Sequence, residues 1–412
     1  MRKLLAAALI LGLFGTPASA QDPEKVLAFN EAWGVYAEAA QSGDVSAAIR
    51  ASKNVLDRGR AIFPDSDERI ALLTRNHGAA LLAGGDKEAA SEHLKDALNR
   101  YEDIYGNSSV KLIPVLVEYA DANSEPFRPA DQLRIYKRAL KIVASQYGSD
   151  SPEYAELSFR TGKNSYELSR AGWAEKYVRK ACDLFEKHYG VPDRRTGMCN
   201  VTLGQTQMSD GFFTQSVPYF EKALIPFTDD TDADRSYRVK IRSLLVHSFE
   251  ESGKQDRATE QLRAIGEDMQ DMPEIAMVPI YQVRPEYPEQ LRAQGIEGQV
   301  VLKLTVDESG FVQDVVVDET IAIENGRRAT GSEFKSFDRQ AVAAVKRYRY
   351  APRYSSGQPQ KTSDVTAKIT FALRQGPLVV DALSDKPERP SQPPSPEFRR
   401  KQESQTSTAP RR

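Results

Sequence analysis

The sequence is poor in the residues that build most catalytic and metal centres. It has 2 cysteines and 4 histidines in 412 residues, which leaves too few thiols for a cysteine-based zinc or iron–sulfur site. None of the histidines forms a metal-ligand spacing with another histidine, cysteine or carboxylate on one helix face. The chain also lacks a phosphate-cradling glycine loop, a nucleophile elbow and a zincin motif. We therefore predict no enzyme, no cofactor and no metal site.

The chain also lacks a charge excess and a long apolar run. Its net charge of −2 argues against general nucleic-acid binding. The apolar run Leu4–Phe14 is shorter than the roughly 20 residues that span a bilayer. Arg2 and Lys3 precede it and Ala18-Ser19-Ala20 follows, which predicts a signal peptide over residues 1–20, cut after Ala20. An uncleaved inner-membrane anchor is the alternative.

Residues 21–270 repeat with a period of 42, which predicts an α-helical solenoid with two helices in each repeat. The registers that keep this step are the pairs Tyr105-Gly106, Tyr147-Gly148 and Tyr189-Gly190; the alanines Ala97, Ala139, Ala181 and Ala223; the apolar residues Leu94, Tyr136, Val178, Phe220 and Leu262; the glycines Gly43, Gly85, Gly211 and Gly253, with Phe127 and Ser169 as exceptions; and the cap residues Asp67, Ser109, Ser151 and Asp193.

Each register predicts one position in the repeat. The cap residues begin the first helix, the single glycines mark the turn between helices, and the Tyr-Gly pairs end the second helix. A helix–turn–helix repeat of 42 residues resembles the tetratricopeptide family, in a longer variant than its 34-residue form. The resemblance covers five to six repeats and implies stacked helix pairs that bind another protein.

The two cysteines fall in neighbouring helices of this region. Cys182 lies near the middle of the second helix of one repeat, and Cys199 lies in the first helix of the next. Antiparallel packing would bring them level, so a disulfide between them is one interpretation. The other is a pair of buried thiols that pack as small apolar side chains.

The stretch 283–374 changes to period two, which predicts a small α+β domain after a linker at 271–282. Alternating runs at Val300–Val306, Phe311–Val317 and Val365–Leu373 predict a three-stranded antiparallel sheet. Asp307-Glu308-Ser309-Gly310 predicts the first hairpin turn. One helix from Phe337 is expected to cover the sheet, a short helix is predicted at 288–294, and 321–334 is expected to be a loop.

The same stretch carries an ordered set of motifs. They are Tyr287-Pro288, Gly295-Ile296-Glu297-Gly298 with Val300-Val301, the Asp307–Gly310 turn, and Arg347-Tyr348-Arg349-Tyr350-Ala351-Pro352. Together they resemble the C-terminal domain of the TonB family of energy transducers. That resemblance implies a periplasmic domain that pairs with the TonB-box strand of an outer-membrane transporter and supports energy-dependent transport.

The resemblance also implies which residues bind the partner. The edge strand 365–373 would receive the peptide by strand addition, and the residues before Tyr287 would lie beside it. The predicted partner-binding set is Arg284, Glu286, Tyr287, Val365, Ala367, Lys368, Ile369 and Phe371. Tyr287 is alternatively a residue that closes the small core.

Two features depart from a typical transducer. The N-terminal apolar run carries no histidine and precedes a cleavage pattern, and helical repeats replace the Pro/Lys/Glu-rich spacer. An inner-membrane motor complex is therefore expected as a partner only if the N-terminus stays uncleaved. The second hypothesis is a periplasmic scaffold whose TonB-like domain serves assembly or dimerisation. Residues 375–412, rich in proline, serine and arginine, are expected to be a disordered tail.

Overall fold

The computed structural model describes residues 22–124, 129–167, 171–270, 277–324, 327–329 and 334–373. The predicted signal peptide and C-terminal tail lie outside the described residues. So do Phe127 and Ser169, the two exceptions in the glycine register. Among the described helices, none is long and apolar enough to cross a membrane.

Six pairs of helices occupy the described part of the repeat region. In chain order they are α1 (Pro23–Ser42) and α2 (Val45–Arg60), α3 (Glu68–Ala83) and α4 (Lys87–Tyr105), α5 (Ile113–Ala122) and α6 (Pro129–Tyr147), α7 (Pro152–Glu167) and α8 (Ala171–Tyr189), α9 (Arg194–Ser209) and α10 (Phe213–Leu224), and α11 (Asp232–Glu251) and α12 (Gln255–Asp268). A single 3₁₀ turn, Val110–Leu112, leads into α5. The predicted helical-repeat fold is confirmed.

The cap and glycine registers act as predicted. Asp67 and Asp193 accept hydrogen bonds from the backbone N–H groups of Arg69 and Arg195, both at 2.8 Å, where α3 and α9 begin. Helices α4, α6 and α8 each end at the tyrosine of a Tyr-Gly pair. The glycines that follow have φ values of 77°, 94° and 79°, the left-handed region in which glycine carries no steric penalty.

The apolar and alanine registers form the core between helix pairs. All four alanines and all five large apolar residues of those registers are fully buried. Burying a large apolar side chain stabilises the fold by roughly 1.5–3 kcal/mol. The alanine positions have no bulk beyond Cβ, so they let a neighbouring helix approach closely. The 42-residue period is therefore the period of the packing itself.

By its contacts the chain divides into two compact units. The first ends at Tyr237 and includes Glu251–Gly253, and the second takes Arg238–Glu250 and everything from Lys254 onward. The last helix pair thus belongs largely with the C-terminal domain. The domain boundaries read from the sequence stay predictions.

The C-terminal domain contains eight short or medium strands and two helices in its described part. In chain order they are β1 (Pro279–Tyr281), α13 (Glu289–Ala293), β2 (Glu297–Val306), β3 (Val312–Glu324), β4 (Arg327–Ala329), α14 (Lys335–Val345), β5 (Arg349–Tyr350), β6 (Arg353–Ser355), β7 (Gln358–Gln360) and β8 (Thr362–Phe371). The main sheet has the order β4-β3-β2-β8, and all its pairs are antiparallel. The three predicted strands are its β3, β2 and β8.

One face of this sheet packs on α14. Val300, Leu302 and Leu304 of β2 point to that face and are at most 2% exposed. Phe337 and Val345 of α14 lie against them and are fully buried. The period-two pattern of the strands and the apolar stripe of the helix therefore meet in one core, as the sequence predicts.

One expectation about this domain is wrong, and the structure adds a short strand that the sequence did not predict. The segment 321–334 is not all loop, because β3 continues to Glu324 and β4 follows it. The extension follows from β2, which starts at Glu297 and pairs that residue with Ile323. The predicted linker 271–282 also contains β1, which pairs with β5. Short strands paired with distant segments carry no local signal that marks them in the sequence.

Within the second unit, Arg349 of β5 joins the domain to α11 and α12. Its guanidinium forms an ion pair with Glu250 and donates to Thr259 Oγ1 at 2.7 Å. It also lies 3.6 Å from the ring centroid of Phe311. Burial lowers the pKa of Arg349, and Glu250 opposes that shift. Both charged side chains are at most 7% exposed, so each serves as the counterion of the other.

Candidate peptide-docking edge

Strand β8 forms an edge of the main sheet. Its register runs from Gly298↔Phe371 to Val306↔Thr362 against β2. Among the described residues, β8 pairs with no strand on its other side. An antiparallel strand turns the backbone N–H and C=O of alternate residues toward each neighbour. Half of the backbone groups of β8 therefore point to the unpaired side.

The side chains of β8 divide cleanly between two environments. Val365, Ala367, Ile369 and Phe371 belong to the core and are between 0% and 8% exposed. Lys368 is exposed on the opposite face of the sheet, level with Val301 of β2. Of the predicted contact set on this strand, only Lys368 has an exposed side chain, and the side chains of the other four belong to the core.

Tyr287 lies at the end of β8 and closes the core there. Its ring meets Phe371 and Phe337 edge to face, with centroids 5.7 and 5.9 Å away. Its hydroxyl donates to the carbonyl oxygen of Ile296 at 2.6 Å, and burial raises its pKa. Arg284 and Glu286 are exposed just before it. Tyr287 therefore contacts the end of the candidate edge strand. Contact of Arg284 and Glu286 with a partner stays a prediction.

The glycine motif before β2 has a packing role. Gly295 has φ of 71°, which lets the chain turn from α13 into the strand. A Cβ at Gly298 would lie 2.5 Å from the Phe337 ring, so only glycine lets that ring lie flat on β2. The motif supports the core on which β8 rests.

One contact near the edge was not predicted from the sequence. Glu297, at the start of β2, accepts a hydrogen bond from the backbone N–H of Leu373 at 2.9 Å. This bond fixes the chain just after β8 ends. The one feature that could have predicted this bond is that Glu297 lies opposite the end of the predicted third strand. That feature becomes visible only when the register is known.

The cysteines and three of the histidines make other contacts and are not part of this edge. Cys182 and Cys199 are joined by a disulfide whose Cα atoms are 5.5 Å apart, between α8 and α9 of the first unit. His77 and His93 pack ring against ring at 4.7 Å, and His247 packs on Tyr281 at 5.4 Å. Within the described residues, no three metal-ligating side chains lie close enough to hold an ion.

Comparison with known families places the C-terminal domain. Residues 283–373 match the family model for the Gram-negative bacterial TonB protein C-terminal. The match covers under a quarter of the chain, and it includes α13, α14, the main sheet and the whole of β8. None of the curated proteins matches the chain significantly.

Three solved structures are similar to part of the chain. BtubC (BKLC) from P. vanneervenii is 16% identical, covering 65% of this chain and 99% of its own, with a TM-score of 0.45. The TPR-like repeats of a putative Podosopora anserina kinesin light chain are 12% identical, covering 52% and 100%, with a TM-score of 0.44. PilF of Pseudomonas aeruginosa is 14% identical, covering 61% and 95%, with a TM-score of 0.37.

Proposed function

We propose that the C-terminal domain binds an extended segment of a partner protein by strand addition along β8. The observation that carries this proposal is an edge strand with one side unpaired among the described residues, inside a domain that matches the TonB C-terminal model. An exposed edge supplies main-chain hydrogen bonds to an added strand, and nearby side chains set its preference. The role is binding, without catalysis.

The partner we propose is the TonB-box-like strand of an outer-membrane transporter, so that the protein supports energy-dependent transport in the periplasm. The predicted signal peptide supports this compartment, and the family match supports this partner. Lys368 and the exposed Arg284 and Glu286 would then set which box sequence is preferred. A peptide-binding domain of this kind needs no cofactor.

The test uses two prolines at adjacent positions of β8. Proline removes one backbone N–H, and adjacent N–H groups point to opposite sides of the strand. Of Lys368→Pro and Ile369→Pro, one therefore removes an N–H bonded to β2 and the other an N–H on the free side. We expect the free-side proline to reduce box-peptide affinity at least tenfold while the free energy of unfolding falls by less than about 1 kcal/mol, as for edge prolines.

Thr370→Ala is the matched control, since it keeps the backbone N–H and changes an exposed side chain outside the predicted contact set. Binding is measured by calorimetry with transporter-derived box peptides, and unfolding by urea titration. If both prolines left peptide affinity unchanged in folded protein, strand addition at β8 would be excluded.

A second function is favoured by the contacts of the last helix pair. Arg349 and Glu250 fasten the C-terminal domain to α11, as expected if that domain serves as a fixed part of a helical scaffold. In this second function the repeats bind a protein, and the TonB-like domain mediates assembly of the protein, for example into a homodimer. Mass spectrometry separates the two: an intact Met1 in a membrane fraction favours the transducer, and a start at Gln21 favours a soluble adaptor.

A further inference from the structure

Leu373 continues the line of β8 by two residues and leaves its side chain exposed. Its backbone N–H donates to Glu297 of β2 at 2.9 Å, so the chain stays beside β2 after the strand ends at Phe371. The Leu373 side chain is 44% exposed, whereas that of Phe371 is fully buried. The described part of the chain therefore ends on an uncovered apolar side chain at the open edge of the sheet.

The bond to Glu297 also shows which backbone groups of β8 face the free side. The N–H of Leu373 points toward β2, and the N–H groups of successive strand residues point to alternate sides. The pairing of this part of β8 with β2 is regular. The N–H groups of Lys368 and Thr370 therefore point to the free side, and that of Ile369 points to β2.

The sequence after Leu373 contains one more strand-like run. Residues 374–377 are Arg-Gln-Gly-Pro, and residues 378–383 are Leu-Val-Val-Asp-Ala-Leu. Five of these last six are apolar and include a valine pair that favours a strand, whereas the residues after 383 are rich in proline, serine and charged side chains. A short connection that contains glycine between two such runs is typical of a β-hairpin.

A hairpin through residues 374–377 would pair the two runs in one register. Leu378 would lie opposite Leu373, and Val380 would lie opposite Phe371, both on the core face of the sheet. A narrower turn at 375–376 gives the same register. The added strand would therefore cover the exposed leucine and continue the buried face with its own apolar residues.

The charges on the other face match in the same register. Lys368 forms no salt bridge with any residue that the structure describes, whereas Lys303 on the adjacent strand pairs with Asp318 at 3.3 Å. Asp381 is the one charged residue of 378–383. It would lie opposite Thr370 and diagonal to Lys368, at a Cβ separation of roughly 7–8 Å that a lysine side chain can reach across.

We propose that residues 378–383 add to the free side of β8 as a fifth strand of the main sheet. The N–H groups of Lys368 and Thr370 would then donate to carbonyl groups of the added strand. In this arrangement the chain's own C-terminal segment occupies the edge that a partner strand needs, and it regulates partner binding by competition. The docking stands on the geometry of β8, and only the competition rests on the proposed function.

A second copy of β8 is a poorer occupant of the same edge. Residues 365–371 carry one lysine and no carboxylate, so the pairing of two copies would place like charges on one face. The segment 378–383 brings a carboxylate instead. It is also tethered to the edge by a short connection, which gives it a high effective concentration there.

Amide hydrogen exchange in the full chain tests the docking without any partner. The N–H groups of Lys368 and Thr370 should exchange at least about tenfold more slowly in the full chain than in a chain that ends at Leu373. Ile369, whose N–H points to β2, is the internal reference and should exchange alike in both chains. Equal rates at Lys368 in the two chains would overturn the proposal.

Charge variants of the full chain test the register. Asp381→Lys places a second cation beside Lys368 and should speed exchange at Thr370 by about threefold or more at low salt. Asp385→Lys makes the same change just past the segment and should leave that rate unaltered. The double variant Lys368→Glu with Asp381→Lys should regain the slow exchange. Exchange that stays fast in the double variant would contradict the register.

Protein concentration distinguishes the chain's own segment from that of a second copy. Slow exchange at Lys368 that does not depend on protein concentration supports a strand added within one chain. Protection that increases with protein concentration would assign the added strand to a second copy and overturn the proposal.

Peptide binding separates the competition from the docking. Calorimetry with transporter-derived box peptides should give about tenfold tighter binding to the chain that ends at Leu373 than to the full chain, because the free edge is then always available. Equal affinities would overturn the competition. Binding to neither chain would overturn both the proposed function and the competition, while the exchange rates would still decide the docking.

Discussion

A buried ion pair between Arg349 and Glu250 joins the C-terminal domain to α11. Arg349 stands in the run Arg347–Pro352, which the sequence marks as a family motif. Nothing local reveals that its guanidinium is buried against Glu250, 99 positions earlier. The motif could be recognised from the sequence. The buried ion pair that its arginine forms could not, because Glu250 lies far away in the sequence.

Glu250→Gln should lower the free energy of unfolding by about 3 kcal/mol, because it leaves the buried Arg349 charge without a counterion. Urea unfolding measures this loss. The matched control is Asp318→Asn at the exposed pair with Lys303, whose side chains are about half exposed and which should change stability by less than about 1 kcal/mol. Similar losses in both variants would contradict the buried pair.

His77 predicts a pH dependence of stability. Its ring is 5% exposed, and Ser52 Oγ, which donates to Ile49 O, accepts from the Nδ1 atom of the ring at 3.0 Å. Burial lowers the pKa of His77 to about 4, with His93 adding to the shift. Below about pH 6.5 the unfolded chain therefore binds a proton at this histidine, whereas the folded chain binds it only near pH 4 and below. Stability falls as pH drops from about 6.5 to 4.

The expected loss is about 2–3 kcal/mol across that window, from a shift of more than two pKa units. Urea unfolding at pH 7.5 and pH 4.5 measures it. The control is His77→Asn, which keeps a donor toward Ser52 and does not titrate. The variant should lose less stability on acidification than the unaltered chain, and equal losses would rule out His77 as the cause.

At the scale of elements, the sequence predicted what depends on periodicity. Tyr105, Tyr147 and Tyr189 end helices because the glycine after each can adopt positive φ. The strands β2 and β8 followed from the alternating runs Val300–Val306 and Val365–Leu373, and each strand begins three residues before its run. By contrast, β1 and β5 are two or three residues long, and such strands form only because distant partners meet. The family resemblance named β8 as the receiving edge and alternation predicted its buried side-chain face, but the position of Tyr287 at its end required the folded structure.

The disulfide between α8 and α9 should stabilise the first unit. The loop between Cys182 and Cys199 spans 17 residues, and closing a loop of that length contributes about 3 kcal/mol in the chain-entropy account. Reducing the protein, or replacing both residues by alanine, should lower the unfolding free energy by about that amount. Urea unfolding with and without reductant measures it.

The double-alanine variant is also the control for the reductant itself. Its stability should not respond to reductant at all. A reductant-sensitive variant would show that the effect arises outside this pair.

At the scale of the whole molecule, the change of fold and the division into compact units do not coincide. The fold changes at the end of α12, whereas the second unit begins at Arg238, inside α11. Two glycines show how closely α12 packs on the C-terminal domain. A Cβ at Gly266 of α12 would clash with the Pro352 carbonyl, and one at Gly310 would lie 3.5 Å from Leu262 of α12. The sequence shows both glycines but not their neighbours.

A fragment starting at Asp232 should therefore be more stable than one starting at Met277, both ending at Leu373. The shorter fragment leaves the Arg349 charge without Glu250 and exposes the packing around Gly310. We expect its urea midpoint to be lower and its unfolding free energy smaller by at least about 3 kcal/mol. Equal midpoints would show that α11 and α12 contribute nothing to the domain.

The joint at Arg349 also has a mechanical consequence. A strand seated along β8 and pulled along its own axis would load its hydrogen bonds together in shear. The tension would pass into β2, cross the hairpin at Asp307–Gly310, and reach α11 and α12 through Arg349, Glu250 and the bond from Arg263 to Ser309. Within the second unit, the helix pair α11 and α12 would therefore share the load on the docked strand.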